Sequence, residues 1–197
     1  MIHHTALTSY QPMQSPALGR PTRSWGPSII GEGTVIGAYA VIYAGAVIGR
    51  NCLIGEHAVI REGCKVGDRT LIGQGCFLNY EAEIGDDVKL IQGVHMAGMG
   101  KVGRGTFIGP GVVMSNMRHI NVDRKKFDPA EAEAPIIGEF CMIGTGANLV
   151  AGVKIGDRAV IAAGALVVKD VPARGRVIGH KARLVGYEEP AAYPVPP

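Results

Sequence analysis

The side chains best suited to chemistry at neutral pH are histidines, and two are set apart by their neighbours. His119 ends the run GPGVVMSNMRH at 109–119, after a regular apolar segment and at the head of a stretch with no hydrophobic period. An imidazole in such a place takes a proton from a hydroxyl or delivers one to a leaving group near pH 7. The plain alternative is a loop residue that only caps or solvates a turn. His95 stands among apolar neighbours with Gln92 at the preceding turn, a setting that binds a small acceptor or packs an interface. Asn79, Tyr80 and Glu81 form a further polar cluster that faces an acceptor or merely fills a turn. For a metal centre, His57, His95 and His119 are the histidines within the repeat and its loop, and they lack a close pair of ligands.

The elements that must hold these residues follow a six-residue period. From Ile30 every sixth residue is large and apolar: Ile36, Ile42, Ile48, Ile54, Ile60, Val66 and so on to Met114, then again from Ile137 to Val167. Hydrophobic residues make up 47% of the chain, so chance does not produce an unbroken column of this length. Four residues after each aliphatic stands a small side chain, as in Thr34, Ala40, Ala46 and Cys52, and the residue directly after it is usually Gly. A helical period of 3.6 cannot hold such columns. One large and one small inward residue per hexad suit a narrow tube. Three hexads then make a triangular coil, and about seven coils stacked at a strand spacing of ~4.8 Å form a prism roughly 34 Å long.

The predicted fold class is therefore all-β, a parallel β-helix over residues 29–171. A polar arm at 1–28, rich in Pro, Ser and Thr, precedes it and is expected to be extended or loosely ordered. An extension at 172–197, ending in the Pro-rich EEPAAYPVPP, follows it. One loop, 115–136, leaves the prism, because Arg118 stands where a small inward residue would be required. A loop extruded from a solenoid is where chemistry can be placed, since the coils are committed to packing. Its Arg124, Lys125 and Lys126 form a solvated tip, or else attract an anionic acceptor.

The same register sorts the remaining features. Cys52, Cys64, Cys76 and Cys141 all fall in the small inward column, so they are expected to pack the core, with no disulfide or metal. Outward positions form three columns. Two are largely apolar, with Val35, Leu53, Leu71, Lys89 and Phe107 in one and Val41, Val59, Phe77, His95 and Val113 in the other. Adjoining apolar faces of this size predict a homo-oligomer. A net charge of +3 gives no basic signature for nucleic acid. No apolar run is long enough to span a membrane and no signal-like segment opens the chain, so the expected location is cytoplasmic, with no membrane partner.

The repeat resembles the hexapeptide-repeat family, whose fold is a left-handed β-helix, and the handedness is implied by that resemblance. GPGVVMSNMRH resembles the segment of sugar O-acetyltransferases, of the galactoside and maltose type, that ends in the catalytic histidine. This implies an acetyl-CoA-dependent acetyltransferase in which His119 is the general base for direct attack of a hydroxyl or amine on the thioester. Ile120 stands where that family often has Pro. The segment IGTGANLVAGVKIGDRAVIAAGALVVKDVPARGRVIGHKARLVG resembles the acetyl-CoA-binding end. It implies backbone contacts to the pantetheine from Thr145 and Ala163, and a nucleotide beside Val168 and Lys169. Lys169 and Arg183 would then meet the phosphates. GHKAR departs from the family's Gly-Asn-Pro-Ala-Arg, keeping Arg183 and adding Lys181 as a further phosphate contact. The resemblance also implies a homotrimer of parallel prisms with sites in the clefts between subunits. The acceptor would be a sugar or sugar nucleotide bound with help from Gln92 and His95. A γ-carbonic-anhydrase-like metal enzyme and a non-catalytic assembly module are the alternatives on the same scaffold.

Overall fold

The computed structural model describes residues 1–13, 24–117 and 132–179. Among these there is no helix, and 23 short strands, most of two residues, form three parallel sheets. The first sheet contains Val35–Ile36 and every strand stacked on it to Arg176–Val177, and the second runs from Leu7–Tyr10 to Leu166–Val167. The third runs from Ile29–Ile30 to Lys154–Ile155. Successive strands visit the sheets in turn, so most pair with the strand 18 residues further on, as in Val35↔Leu53 and Val41↔Val59. This is a left-handed parallel β-helix of about eight turns.

Both inward columns are where the period places them. Ile36, Ile42, Ile48, Ile54 and Ile60 are fully buried, and so are the small residues Ala40, Ala46 and Ala58. The small column does more than save space, because its polar members bridge coils. Thr106 Oγ1 donates to the Gly138 carbonyl at 2.9 Å and accepts from the Cys141 amide at 3.0 Å. Thr34 and Thr70 repeat the pattern, and all four cysteines donate from Sγ to a turn carbonyl of the next coil, as Cys64 does to Asn79 at 3.0 Å. The cysteines are thus free, buried core residues. Burial raises their thiol pKa values, that of Cys64 to about 12.

The solenoid extends beyond the predicted span at both ends. Within the arm, Leu7–Tyr10 joins the second sheet beside Val41–Tyr43, and Ile2 bridges Ile36. The ring of Tyr10 stands edge-on to Tyr43 at 5.3 Å, and Arg61 covers the Tyr43 ring while gripping the buried Glu62 through two hydrogen bonds. These first residues are tied to the first coil by backbone hydrogen bonds, as from the His3 amide to Ile36 and the Leu7 amide to Ala40 at 2.9 Å each, and by the Tyr10 ring on Tyr43. At the other end Val171 bridges Ile155, and Arg176–Val177 pairs with Val160–Ile161. That last coil is 16 residues long, two short of the usual 18.

The loop is an insertion at one edge of the prism. Val102 pairs with Ile137, 35 residues on, so 17 residues beyond the usual 18 leave the coil. Its base is described: the Ser115 amide bonds the Leu149 carbonyl, Glu133 donates to Asn116 at 2.9 Å, and Gly152 donates to Glu133 at 2.7 Å. The backbone of Glu133 thus completes the edge that the excursion opens.

Candidate functional site

The three edges of the prism differ in chemistry, and the difference marks where a ligand can lie. At the edge joining the third sheet to the first, turn amides are capped by carboxylates of the next coil. Asp68 Oδ1 accepts from the Arg50 amide, Asp86 Oδ1 from that of Asp68, and Asp157 Oδ1 from that of Glu139, each at 2.8 Å. The Arg50 amide holds the Asp68 carboxyl below its ordinary range, and the Arg69 guanidinium does the same for Asp87. Charges here staple the solenoid.

The edge joining the first sheet to the second carries Gln92, Thr145 and Ala163 in equivalent turns. Gly164 donates to the Thr145 carbonyl at 2.8 Å, whereas among the described residues the Thr145 amide and both backbone groups of Ala163 have no hydrogen-bond partner. All three residues are exposed. Glycines let these turns approach one another: a Cβ on Gly109 would stand 2.8 Å from the Thr145 nitrogen. The edge therefore presents a line of open peptide groups, suited to an extended ligand that carries its own amides.

Between that edge and the loop lies the outer face of the second sheet. His95 sits on it, stacked on Phe77 with ring centroids 5.1 Å apart, and pairs in register with Val113. Beyond the face, Val168 and Lys169 turn the shortened last coil, and Asp170 Oδ1 caps the Lys154 amide at 2.8 Å. Gln92, His95, Thr145, Ala163, Val168 and Lys169 thus surround one face of the prism, with the loop base at its margin. His119, Arg124, Lys125, Lys126, Lys181 and Arg183 lie outside the described residues. His57 stacks on Tyr39 on the edge that carries Gln92, two coils earlier, and among the described residues no three potential ligands converge on a metal position.

The edge joining the second sheet to the third is the irregular one. Where the other edges mostly carry Gly after the buried aliphatic, this one has Tyr43, Arg61, Asn79, Ala97, Ser115, Val150 and Val168. A groove of about 410 Å³ runs beside it, lined by Trp25, Lys65, Glu81, Glu83, Met99 and Lys101 among others. Lys65 and Lys101 both bond Glu83, and Lys101 above all holds its carboxyl below the ordinary range. Trp25 has no signal in the hexad pattern. Its only mark in the sequence is that it is the single Trp of the chain.

Three segments, residues 27–62, 45–80 and 134–169, match the family described as bacterial transferase hexapeptide (six repeats). Serine acetyltransferase 4 of Arabidopsis thaliana is 42% identical over 53 residues, 27% of this chain and 15% of that protein. A 2,3,4,5-tetrahydropyridine-2,6-dicarboxylate N-acetyltransferase of Staphylococcus aureus is 33% identical over 78 residues, 40% of this chain and 29% of that one. The chain thus spans less than a third of the length of these curated relatives. Among solved structures, a UDP-N-acetylglucosamine acyltransferase from Bacteroides fragilis superposes with a TM-score of 0.59 at 19% identity, covering 92% of this chain and 71% of that one. The enzyme of that name from Campylobacter jejuni gives 0.56 at 19% identity, covering 87% and 69%. These likenesses show the fold.

Proposed function

We propose that this chain, a hexapeptide-repeat protein of the bacterial transferase type, is an acyltransferase that moves an acetyl group from acetyl-CoA to a hydroxyl or amino group of a small acceptor. The observation that carries the reading is the edge of open peptide groups at Thr145 and Ala163. Pantetheine is itself a chain of two amides, so it pairs with such an edge in the way a strand adds to a sheet. The reactive thioester would then lie along the face that holds His95, with Lys169 and Arg183 toward the phosphates.

In this reading His119 is the general base. Chain connectivity holds it within three peptide units of Asn116, whose carbonyl is tied to the loop base. It would take the proton from the acceptor as the new ester or amide bond forms at the thioester carbonyl, and the CoA thiolate would leave. His95 and Gln92 would bind the acceptor. The relatives named above share the acyl transfer in their names and differ in acceptor, and the sugar or nucleotide-linked sugar taken as acceptor here rests on the likeness of residues 109–119 to the sugar O-acetyltransferases. The exposed apolar columns, Leu53, Phe107 and Met142 on one face and Val113 and Leu166 on the next, support a homotrimer with the site in the cleft.

The test is calorimetric titration of acetyl-CoA into the full chain, followed by thiol release on adding candidate acceptors. Binding in the micromolar range with acceptor-dependent thiol release supports the reading, and no binding at millimolar acetyl-CoA refutes it.

A further inference from the structure

On the edge joining the third sheet to the first, two turns share the sequence Gly-Asp-Arg: Gly67, Asp68 and Arg69 in one, Gly156, Asp157 and Arg158 in the other. Their backbones agree. Arg69 and Arg158 have φ of 56° and 59°, and their amides donate to the Arg50 and Glu139 carbonyls of the preceding coil at 2.8 Å each. Both aspartates turn back on that coil, Asp68 Oδ1 onto the Arg50 amide and Asp157 Oδ1 onto the Glu139 amide.

The two turns differ in what the next coil lays over them. Over the first stand Asp86 and Asp87. Asp86 Oδ1 accepts from the Asp68 amide at 2.8 Å while its Oδ2 lies 3.8 Å from the Arg69 guanidinium, and Asp87 accepts from Nε and Nη2 of Arg69 at 2.7 and 2.8 Å. One amide and one guanidinium thus hold two carboxylates. Over the second turn the shortened last coil places Ala173 and Arg174, whose amide donates to the Asp157 carbonyl as that of Asp87 does to Asp68. Neither side chain is an anion. Among the described residues the Asp157 amide has no hydrogen-bond partner, and neither Arg158 nor Arg174 makes an ion pair. Arg158 lies instead on the Phe140 ring, 5.1 Å from its centroid, with Arg104 on the same ring at 5.1 Å. Stacking fixes a guanidinium and leaves its N–H fork free.

We infer that the turn of Gly156, Asp157 and Arg158 binds a small dianion, whose two carboxylate or phosphate groups take the places that Asp86 and Asp87 fill over Asp68 and Arg69. One group sits on the Asp157 amide and the other in the Arg158 fork, the charge-assisted contacts that a turn amide and a guanidinium offer to oxyanions. Arg174 adds a positive charge that the first turn lacks. The carboxylate of Asp157 is no obstacle, because that of Asp68 stands in the same place and Asp86 still binds beside it. This site lies on a different edge from the open peptide groups of Thr145 and Ala163, so it is separate from the one assigned to acetyl-CoA.

The experiment is calorimetric titration of the full chain with inorganic pyrophosphate, succinate and acetate at low ionic strength, where such contacts are least screened. At least one dianion should bind about tenfold or more tightly than acetate, and whether pyrophosphate or succinate is the tighter distinguishes phosphate from carboxylate as the group preferred. Saturating acetyl-CoA should leave that affinity unchanged. Arg158→Ala should weaken it about tenfold. The double variant Ala173→Asp with Arg174→Asp supplies the carboxylate pair from within the chain, as in the first turn, and should abolish dianion binding. Dianions held no better than acetate overturn the inference, and so does unchanged affinity in either variant. Competition between the dianion and acetyl-CoA overturns it as well, by moving the contact to the coenzyme's edge.

Discussion

Gly144 lies so close to the amide nitrogen of Ala163 in the next coil that a Cβ at Gly144 would stand 2.4 Å from it. The same distance separates a Cβ on Gly156 from the Ala173 nitrogen, on the edge joining the third sheet to the first. The two glycines are matched in crowding and differ in which edge they serve. Gly144→Ala and Gly156→Ala should therefore destabilise comparably, by about 1–3 kcal/mol, the usual cost of overpacking. Only Gly144→Ala should also weaken acetyl-CoA, because it displaces the open amide of Ala163. Thermal unfolding and calorimetry on both variants check this, and equal acetyl-CoA affinity would remove Ala163 from the cofactor edge.

Thr106→Val tests the hydrogen-bonding column inside the tube. The substitution keeps the shape of the side chain and strips partners from the Gly138 carbonyl and the Cys141 amide. Leaving a buried polar group unsatisfied costs about 1–3 kcal/mol. Ala40, fully buried in the same column, makes no such bond, so Ala40→Ser is not expected to recover the loss. Denaturant midpoints of Thr106→Val against wild type measure it, and a midpoint unchanged by the variant would mean the column only fills space.

These two residues also show what was legible from the amino acids alone. The aliphatic column at Ile36, Ile42 and Ile48 gave away sheet, coil and core, because a six-residue repeat leaves each inward position one size to satisfy. Cys52, Cys64, Cys76 and Cys141 were readable as core for the same reason. The ends were not readable. Ile2 pairs with a residue 34 positions on and Val160 with one 16 on, and neither interval is a multiple of six. Tyr80 was visible only as part of a polar turn with Asn79 and Glu81, and the placement of its ring on Gly98 needed the neighbouring coil. Trp25 reaches the groove from outside the repeat, where periodicity has nothing to say.

Acid should weaken the staples along the capped edge. The folded-state pKa of Asp68 is lowered by the Arg50 amide, that of Asp87 by Arg69 and that of Glu83 by Lys101. A depressed carboxylate contributes stability that is complete above its unfolded value, about 3.9 for Asp and 4.3 for Glu, and is lost as pH falls through the folded one. The Tm should thus be flat from pH 7 to about 5 and fall below about 4. Asp68→Asn should lower the neutral Tm and make the acid fall shallower. The groups are exposed, so high salt should blunt the effect. A Tm rising below pH 4 would contradict the assignment.

Two histidines compete for the base, and their positions predict opposite kinetic signatures. His95 stacks on Phe77 in the middle of the face, one strand from Val113. A side chain held there by an aromatic neighbour is placed to bind, and His95→Ala should raise the acceptor KM while kcat is largely kept. His119 follows the tethered Ser115 and Asn116, where the loop meets the margin of that face. His119→Ala should lower kcat about a hundredfold, the usual size of a general-base contribution, with acetyl-CoA affinity unchanged. Steady-state kinetics of both variants with one acceptor separate the roles. If the hundredfold loss falls on His95→Ala and His119→Ala turns over normally, the base belongs to the sheet.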